Sequence, residues 1–278
     1  MHLMTREKQL INLIDGDIFA YVCSSAVQKD IDWGDGLWTT HAFLDDAVSY
    51  FNQLLGTVKT SLGVTLSSKY GLTINDTIFC FSGQKNFRKY LNNQYKANRV
   101  SKRKPTCYQG LKQYILDNFK CQSHEYFEGD DVISSIATSG LKDSCIITSA
   151  DKDFKTVPNC YFYNYKADTL NHYDSGTAYR NLMIQVLTGD TADNYRGCPS
   201  IGKSRAERLV QDCTNIHTLW DTVVKTYEKN KSSKEEAIMN FTMAYLLHGY
   251  DIESKRDILK TTPDTSYEGF CKYPKDTL

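Results

Sequence analysis

Four groups of carboxylates punctuate the chain: Asp15 with Asp17, Glu128 with Asp130 and Asp131, Asp151 with Asp153, and Asp190 with Asp193. Each adjoins an apolar run or opens a helical pattern, so a parallel sheet would gather them at the carboxyl ends of its strands, where such folds place their sites. So many acids in one place repel one another. Divalent cations relieve that repulsion, and an all-oxygen set without His or Cys suits two or more Mg²⁺, with Mn²⁺ able to substitute. A pair of such ions about 4 Å apart generates a nucleophilic hydroxide and neutralises a leaving oxygen, the chemistry of phosphodiester hydrolysis. Taken singly, each group has a simpler account. Asp is a common helix N-cap, and Glu128-Gly129-Asp130-Asp131 also reads as a helix start with its acids on the positive end of the dipole. Four groups together are hard to explain as capping.

The complementary charge is concentrated too. Lys85, Arg88, Lys89, Lys96, Arg99, Lys102, Arg103 and Lys104 fall in one stretch, about 84–105, that holds no acid and interleaves Phe87, Tyr90 and Tyr95. Such a block repels itself unless a polyanion is present, and its aromatics offer faces on which bases stack. Lys96 and Arg99 lie three apart, on one face if the segment is helical, so an ammonium and a guanidinium would meet one phosphate. The alternative is a solvated loop. Further on, the loop Gly197-Cys-Pro-Ser-Ile201-Gly202 leads into Lys203, Ser204, Arg205 and Arg208, which offers backbone N–H groups at a helix start as a sequence-independent anion site. The plainer account is a tight turn between helices.

The elements that must position these groups follow from periodicity. Leu10–Ile14, Thr77–Phe81, Asp143–Thr148 and Asn159–Tyr163 are short apolar runs that read as buried strands, the first delivering Asp15 to its end. Phe43, Ala47, Phe51, Leu54, Val58 and Leu62 recur at helical spacing. Tyr108, Leu111, Ile115 and Phe119 after Pro105 mark a second helix, and Ile133, Ile136 and Ala137 a third. Asp30–Thr40 and Ser67–Asn75 read as loops. Beyond about Ala178 helices dominate, which predicts an α/β fold with a mainly parallel sheet over 1–177, carrying the basic segment, and a helical region over 178–278 that ends in an irregular tail, Tyr267–Leu278.

Composition narrows the field. In 278 residues, 33 Lys and Arg balance 33 Asp and Glu, so a uniformly basic coat is excluded and any nucleic-acid surface is local. Nine scattered cysteines without a C-x-x-C pair speak against a zinc ribbon or a secreted disulfide framework. Arg6, Glu7 and Lys8 interrupt any leader-like start, and no apolar run approaches the roughly 18–20 residues of a membrane span. The expected location is the cytoplasm, with no membrane partner.

Ile14-Asp15-Gly16, Tyr95-Lys-Ala-Asn-Arg99, Glu128-Gly-Asp-Asp131, Ser149-Ala-Asp-Lys-Asp153-Phe154 and Thr188-Gly-Asp-Thr-Ala-Asp193-Asn194, followed by Gly197 and Ile201-Gly202-Lys203, resemble in order and spacing the 5′-nucleases or flap endonucleases, most closely the short 5′→3′ exonucleases of podophage type. The match spans roughly residues 11–210. The resemblance implies a PIN-like nuclease domain, a helical arch threaded by a 5′ single strand, and a helix-hairpin-helix-like motif gripping duplex DNA. It implies metal ligands at Asp15, Glu128, Asp130, Asp131, Asp151, Asp153, Asp190 and Asp193, with Asp15, Asp130 and Asp153 catalytic beside Lys96 and Arg99 at the scissile phosphate. DNA contacts are implied for Arg88, Lys89, Tyr95, Lys96, Arg99, Lys102, Arg103, Lys104, Gly197, Ile201, Gly202, Lys203, Ser204, Arg205 and Arg208. The implied activity is a metal-dependent 5′→3′ exonuclease with flap endonuclease and RNase H activity, leaving 5′-phosphates, in phage DNA replication in a host cytoplasm. A monovalent K⁺ near Gly202 belongs to the same inheritance. Two positions depart from the pattern: Ser200 stands where relatives have Gly, and Phe81-Ser82-Gly83 replaces a strand-end Asp, leaving a missing outer ligand, a serine with water standing in for it, or a serine that satisfies a strand-end backbone group away from the metals.

Two rivals account for fewer residues. A haloacid-dehalogenase-like phosphatase would use Asp15 as nucleophile, Asp17 as acid, Thr148 on phosphate and Lys152 or Lys155 as charge partner, leaving Glu128–Asp131 and the basic run unexplained. A DNA-structure-binding protein with a decayed site would explain Ser82 but not the intact acids.

Overall fold

A computed structural model describes residues 8–99, 102–139 and 144–249. The segment Tyr267–Leu278 and the first residue of the run Asp143–Thr148 lie outside them. The chain enters through β1 (Lys8–Asp15) and α1 (Gly16–Ala26), makes a hairpin of β2 (Lys29–Asp32) and β3 (Trp38–His41), and continues through α2 (Leu44–Tyr70) and β4 (Leu72–Ser82). The short α3 (Phe87–Leu91) precedes α4 (Tyr108–Asn118), β5 (Cys121–His124), α5 (Gly129–Ala137) and β6 (Cys145–Ser149). Then follow β7 (Cys160–Asn164), β8 (Thr169–Tyr173), α6 (Ser175–Thr188), β9 (Gly189–Asp190), β10 (Tyr195–Arg196), α7 (Lys203–Val210), α8 (Ile216–Lys229) and α9 (Lys234–Ala244).

The main sheet has the order β5-β4-β1-β6-β7-β8, parallel throughout except for the edge strand β8. Side-chain alternation gives its two faces separate cores. Leu10, Ile14, Phe79, Phe81 and Ile146 pack under α1, α2 and α4, while Leu13, Cys80, Cys145, Ile147 and Phe162 pack under α5, α6, α8 and α9. The change from strands to helices falls at Ser175, and the helical region shares the second core with the sheet.

Two expected loops are regular structure. Residues 30–40 form the β2–β3 hairpin, because Gly34, Asp35 and Gly36, all at positive φ, turn the chain tightly enough for Asp32 to pair with Trp38. Residues 67–70 extend α2, which ends only where Gly71, at φ 61°, takes the left-handed cap, and β4 begins at once. Among the described residues no helix is long and apolar enough to cross a membrane.

Candidate metal centre and phosphate site

The parallel sheet delivers the acids to one edge. Asp15 ends β1 and caps α1 by accepting from the Ile18 amide at 3.1 Å, while its other oxygen accepts from the Ser149 hydroxyl at 2.9 Å. Asp151 follows the neighbouring β6 and accepts from the Asp153 amide at 2.9 Å. Asp190, buried on β9, accepts from the Ala192 amide at 2.7 Å and from Lys152 Nζ at 3.2 Å. Asp15, Asp151, Asp153 and Asp190 lie near enough for Asp151 to act on Asp15 and for Asp151 and Asp190 to act on Asp153. A second group lies at the first turn of α5, where Asp130 lies beside Glu128, Lys96 and Tyr95 stand between Glu128 and Asp193, and Arg99 pairs with Asp193.

The electrostatics of the two groups differ. Burial, with Asp17 and Asp151 nearby, pushes Asp15 up to about 7 despite its two hydrogen bonds. Burial and the Asp151 charge likewise push Asp153 up to about 7 against the pull of Lys152. Asp130 is held well above the usual carboxylate range by burial, Glu128 and Asp131, and Asp193 is raised by burial although Lys96 and Arg99 oppose it. Glu128 goes the other way. Burial would raise it, but Lys96 and Arg88 outweigh that and hold it down at about 2. The same acids raise Lys96 in spite of burial. Asp15, Asp153 and Asp130 therefore resist ionising because the protein's own cations do not compensate them, the condition in which a bound hard cation gains most by taking the proton's place.

Lys96 and Arg99 both reach Asp193, but not from one helix face. Lys96 sits at φ 56° outside any helix, its amide donating to the Asp193 carbonyl at 2.8 Å, and Arg99 ends the single 3₁₀ turn Ala97–Arg99. Lys96 pairs with Glu128 and lies 3.6 Å from Asp193; Arg99 pairs with Asp193 and donates to the Ala192 carbonyl at 3.1 Å. Beside Lys96 a cleft of about 450 Å³ opens between Gln84, Lys85, Lys89, Tyr90 and Glu128. A larger cleft of about 580 Å³, around Asp76 and Lys120, opens at the end of β4 where the strand begins, far from the carboxylates.

Several expected contacts are corrected. Arg88, expected on phosphate, is 1% exposed and grips Asp131 with two hydrogen bonds of 2.6 and 2.7 Å. It also donates to the carbonyls of Thr242 at 3.3 Å and Tyr245 at 2.6 Å. Asp131, expected on metal, is fully buried with both oxygens committed to Arg88 and a further bond from the Leu247 amide at 3.1 Å. Its oxygens lie within 4.8 Å of those of Glu128 and Asp130, so it keeps its place in the carboxylate trio that could hold a metal ion, with Arg88 fixing it there. Tyr95 and Phe87 are buried, the Tyr95 hydroxyl lying 2.9 Å from Glu128 and 3.1 Å from Asp193, so neither offers a face to a base. Ile201 is buried in the core, and Gly197 is packed against the end of α6, where a Cβ would lie 2.3 Å from the Leu187 carbonyl oxygen. Lys89, Lys102, Arg103 and Lys104 are exposed, as are Gly202 and, on α7, Lys203, Ser204, Arg205 and Arg208. Ser200 adopts φ 61° without being glycine, a left-handed conformation that only a minority of non-glycine residues take.

Ser82 ends β4 with its hydroxyl accepting from the Gly129 amide at 2.9 Å and its own amide donating to Asp17 at 2.6 Å. It satisfies the start of α5. Asp17 in turn accepts from the Tyr108 hydroxyl at 2.6 Å. These contacts, with Ser149 on Asp15 and Lys152 on Asp190, were not legible as site features. Only Lys152, between two acids, carried a local signal. Thr148, needed on phosphate by the phosphatase alternative, is fully buried and donates to Asn12 at 2.7 Å.

Comparison with known proteins agrees with this geometry. The family described as 5′-3′ exonuclease, N-terminal resolvase-like domain, matches residues 10–180. The exodeoxyribonuclease of Enterobacteria phage T3 is 32% identical over 209 residues, covering 73% of this chain and 66%, just under two thirds, of that protein. The exonuclease of Escherichia phage T7 is 28% identical over 271 residues, covering 85% of this chain and 88% of that one. Among solved structures, the T5 5′-exonuclease with divalent zinc superposes with a TM-score of 0.61 at 17% identity, covering 94% of this chain and 98% of that one. With its sheet, its gathered carboxylates and a family match over residues 10–180, the chain belongs to the 5′→3′ exonuclease family of nucleases.

Proposed function

We propose that the protein is a divalent-metal-dependent 5′→3′ exonuclease with flap endonuclease activity, acting on DNA that carries a 5′ end, nick or flap and leaving 5′-phosphates. The observation that carries this reading is the convergence of Asp15, Asp151, Asp153 and Asp190 with Glu128, Asp130 and Asp193 on one sheet edge, flanked by Lys96 and Arg99. The all-oxygen donors and the raised Asp15, Asp130 and Asp153 fit Mg²⁺, with Mn²⁺ as substitute. Bound there, the ions supply a hydroxide nucleophile and shield the leaving oxygen.

The chain's own groups do the rest. Lys96 and Arg99, now paired with carboxylates, exchange those partners for the scissile phosphate. They oppose the charge that builds on it. Lys89, Lys102, Arg103 and Lys104 draw the 5′ strand in, and Gly202, Lys203, Ser204, Arg205 and Arg208 hold duplex backbone without reading sequence. Asp131 and Arg88 fix the first turn of α5, so that Glu128 and Asp130 keep their place.

Cleavage of 5′-labelled duplex, flap and RNA–DNA hybrid substrates tests the proposal. Mg²⁺ restores and EDTA abolishes product, and Asp130→Ala and Asp153→Ala lose cleavage while binding DNA as tightly as wild type or more so, because each removes a charge that repels phosphate. Degradation in excess EDTA or from 3′ ends would overturn it. The hybrid arm decides whether RNase H activity accompanies it.

A further inference from the structure

Between Asp190 on β9 and Tyr195 on β10 the chain turns through residues 191–194, a loop that carries Asp193. Residues 94–99, which carry Lys96 and Arg99, lie along that loop and have no regular structure of their own beyond the 3₁₀ turn Ala97–Arg99. Much of what ties the two segments together is uncharged. Asn194 Nδ2 donates to the Gln94 carbonyl at 2.7 Å, Asn98 Nδ2 to the Thr191 carbonyl at 3.1 Å, and the Lys96 amide to the Asp193 carbonyl at 2.8 Å. Lys96 at φ 56° and Asn194 at φ 59° both take the left-handed conformation, which a lysine holds only where its surroundings enforce it. Both asparagines are exposed, so they support no core. Their contacts fix where the backbone bearing Lys96 and Arg99 lies relative to the loop bearing Asp190 and Asp193.

We propose that Asn98 and Asn194 are positioning residues of the phosphate site, a clasp of uncharged amides that keeps Lys96 and Arg99 beside the acidic loop once their carboxylate partners are exchanged for DNA. The ion pairs of Lys96 with Glu128 and of Arg99 with Asp193 end when those cations turn to the scissile phosphate. Bonds between an amide and a backbone carbonyl hold no charge for the phosphate to displace, and they survive that exchange. The two cations therefore stay with Asp190 and Asp193 instead of drifting with the rest of the basic segment, and they are already oriented when the phosphate arrives. This inference rests on the proposed nuclease function.

The test is the double variant Asn98→Ala with Asn194→Gly, in which glycine keeps the left-handed backbone free of strain while removing the amide. In EDTA it unfolds within about 5 °C of wild type, because exposed hydrogen bonds contribute little, while the amides of residues 94–99 exchange with deuterium about 10-fold faster. With Mg²⁺, the saturated single-turnover rate on a 5′-labelled flap falls about 10-fold, since a misplacement of about 1 Å alone can cost about 10²-fold. DNA affinity stays within about twofold of wild type, as no charge is lost. A cycle with Lys96→Ala gives the readout that a merely structural role would not move. That substitution costs about 10²-fold in wild type but only about 10-fold in the double variant, where the lysine is already displaced. Costs that simply multiply, to about 10³-fold in the triple variant, overturn the proposal. Unchanged exchange at residues 94–99, or an unchanged saturated rate, overturns it and leaves the nuclease reading intact. Unfolding more than about 5 °C below wild type assigns the amides to the fold and overturns it as well. A wild type that cleaves no DNA with Mg²⁺ or Mn²⁺ overturns the nuclease reading and the proposal together.

Discussion

Replacing Arg88 with alanine removes a cation whose five hydrogen bonds all end inside the protein: two on Asp131, one of 3.3 Å on Glu128, and two on the carbonyls of Thr242 and Tyr245. What remains is a fully buried carboxylate that has lost its cation, and two buried carbonyls that have lost the Arg88 donor. Breaking one side of a buried ion pair costs about 3–5 kcal/mol, a large share of the roughly 5–15 kcal/mol that holds a typical domain together. For a chain of this size, at about 2–4 °C per kcal/mol, the melting temperature falls by about 6–20 °C. Circular dichroism melts and urea titrations of wild type and Arg88→Ala in EDTA measure this. The joint replacement Arg88→Met with Asp131→Leu recovers most of the loss, because it leaves no unpaired charge. Below its melting point Arg88→Ala binds duplex DNA with wild-type affinity and salt dependence. A variant within about 1 kcal/mol of wild-type stability that binds DNA more weakly would refute the burial argument and return Arg88 to the phosphate-contacting role that its sequence context suggests.

Four further outcomes follow from the same geometry. Lys96→Ala lowers single-turnover cleavage about 10²-fold with little change in DNA affinity, and normal cleavage at saturation would reduce Lys96 to a steering charge. Asp15 and Asp153, raised from 3.8 to about 7, stay protonated in the metal-free fold between about pH 4 and 7 while the unfolded chain ionises, so metal-free stability falls as pH rises through that window. Mg²⁺ competes with those protons, so its affinity climbs from pH 5.5 to 7.5 with measurable proton release, and an affinity flat across that range would show the acids already ionised. Ser82→Ala destabilises by about 1 kcal/mol through loss of the Gly129 contact and leaves the Mg²⁺ requirement unchanged, whereas a lower requirement in Ser82→Asp would mark it as a vacant ligand position.

The strands were legible because parallel sheets bury both faces: Leu10–Ile14 and Thr77–Phe81 carry continuous apolar runs, and both fall within observed strands. The gathering of acids was legible because parallel strands end on one edge. Edge strands escaped. In β5, Cys121-Gln-Ser-His124 is exposed at its two central residues, half-buried at its ends, and has no apolar run to betray it. The hairpin of residues 29–41 escaped for a similar reason, since its strands are exposed on both faces and its alternation marks no core. Within the site, sequence spacing could not tell an arginine on the surface from one in the interior. Arg88 sits among seven other basic residues, and what buries it are carbonyls more than 150 positions away. Tyr95 looked like a stacking platform for the same reason, whereas its hydroxyl serves two carboxylates.

The Arg88–Asp131 pair also sets an order of events during synthesis. Asp131 follows Arg88 by 43 residues, but the Tyr245 carbonyl that completes the guanidinium comes 157 residues after it, and the Leu247 amide 116 after Asp131. Closing so long a loop adds little entropy penalty beyond a short one, so the delay is one of supply. Until residue 247 has left the ribosome, the turn bearing Glu128 and Asp130 rests on an interior charge pair that lacks its outer bonds. A nascent or truncated chain stopping short of Tyr245 therefore carries every carboxylate of the site while the Arg88–Asp131 pair beneath two of them lacks the bonds that the end of α9 supplies.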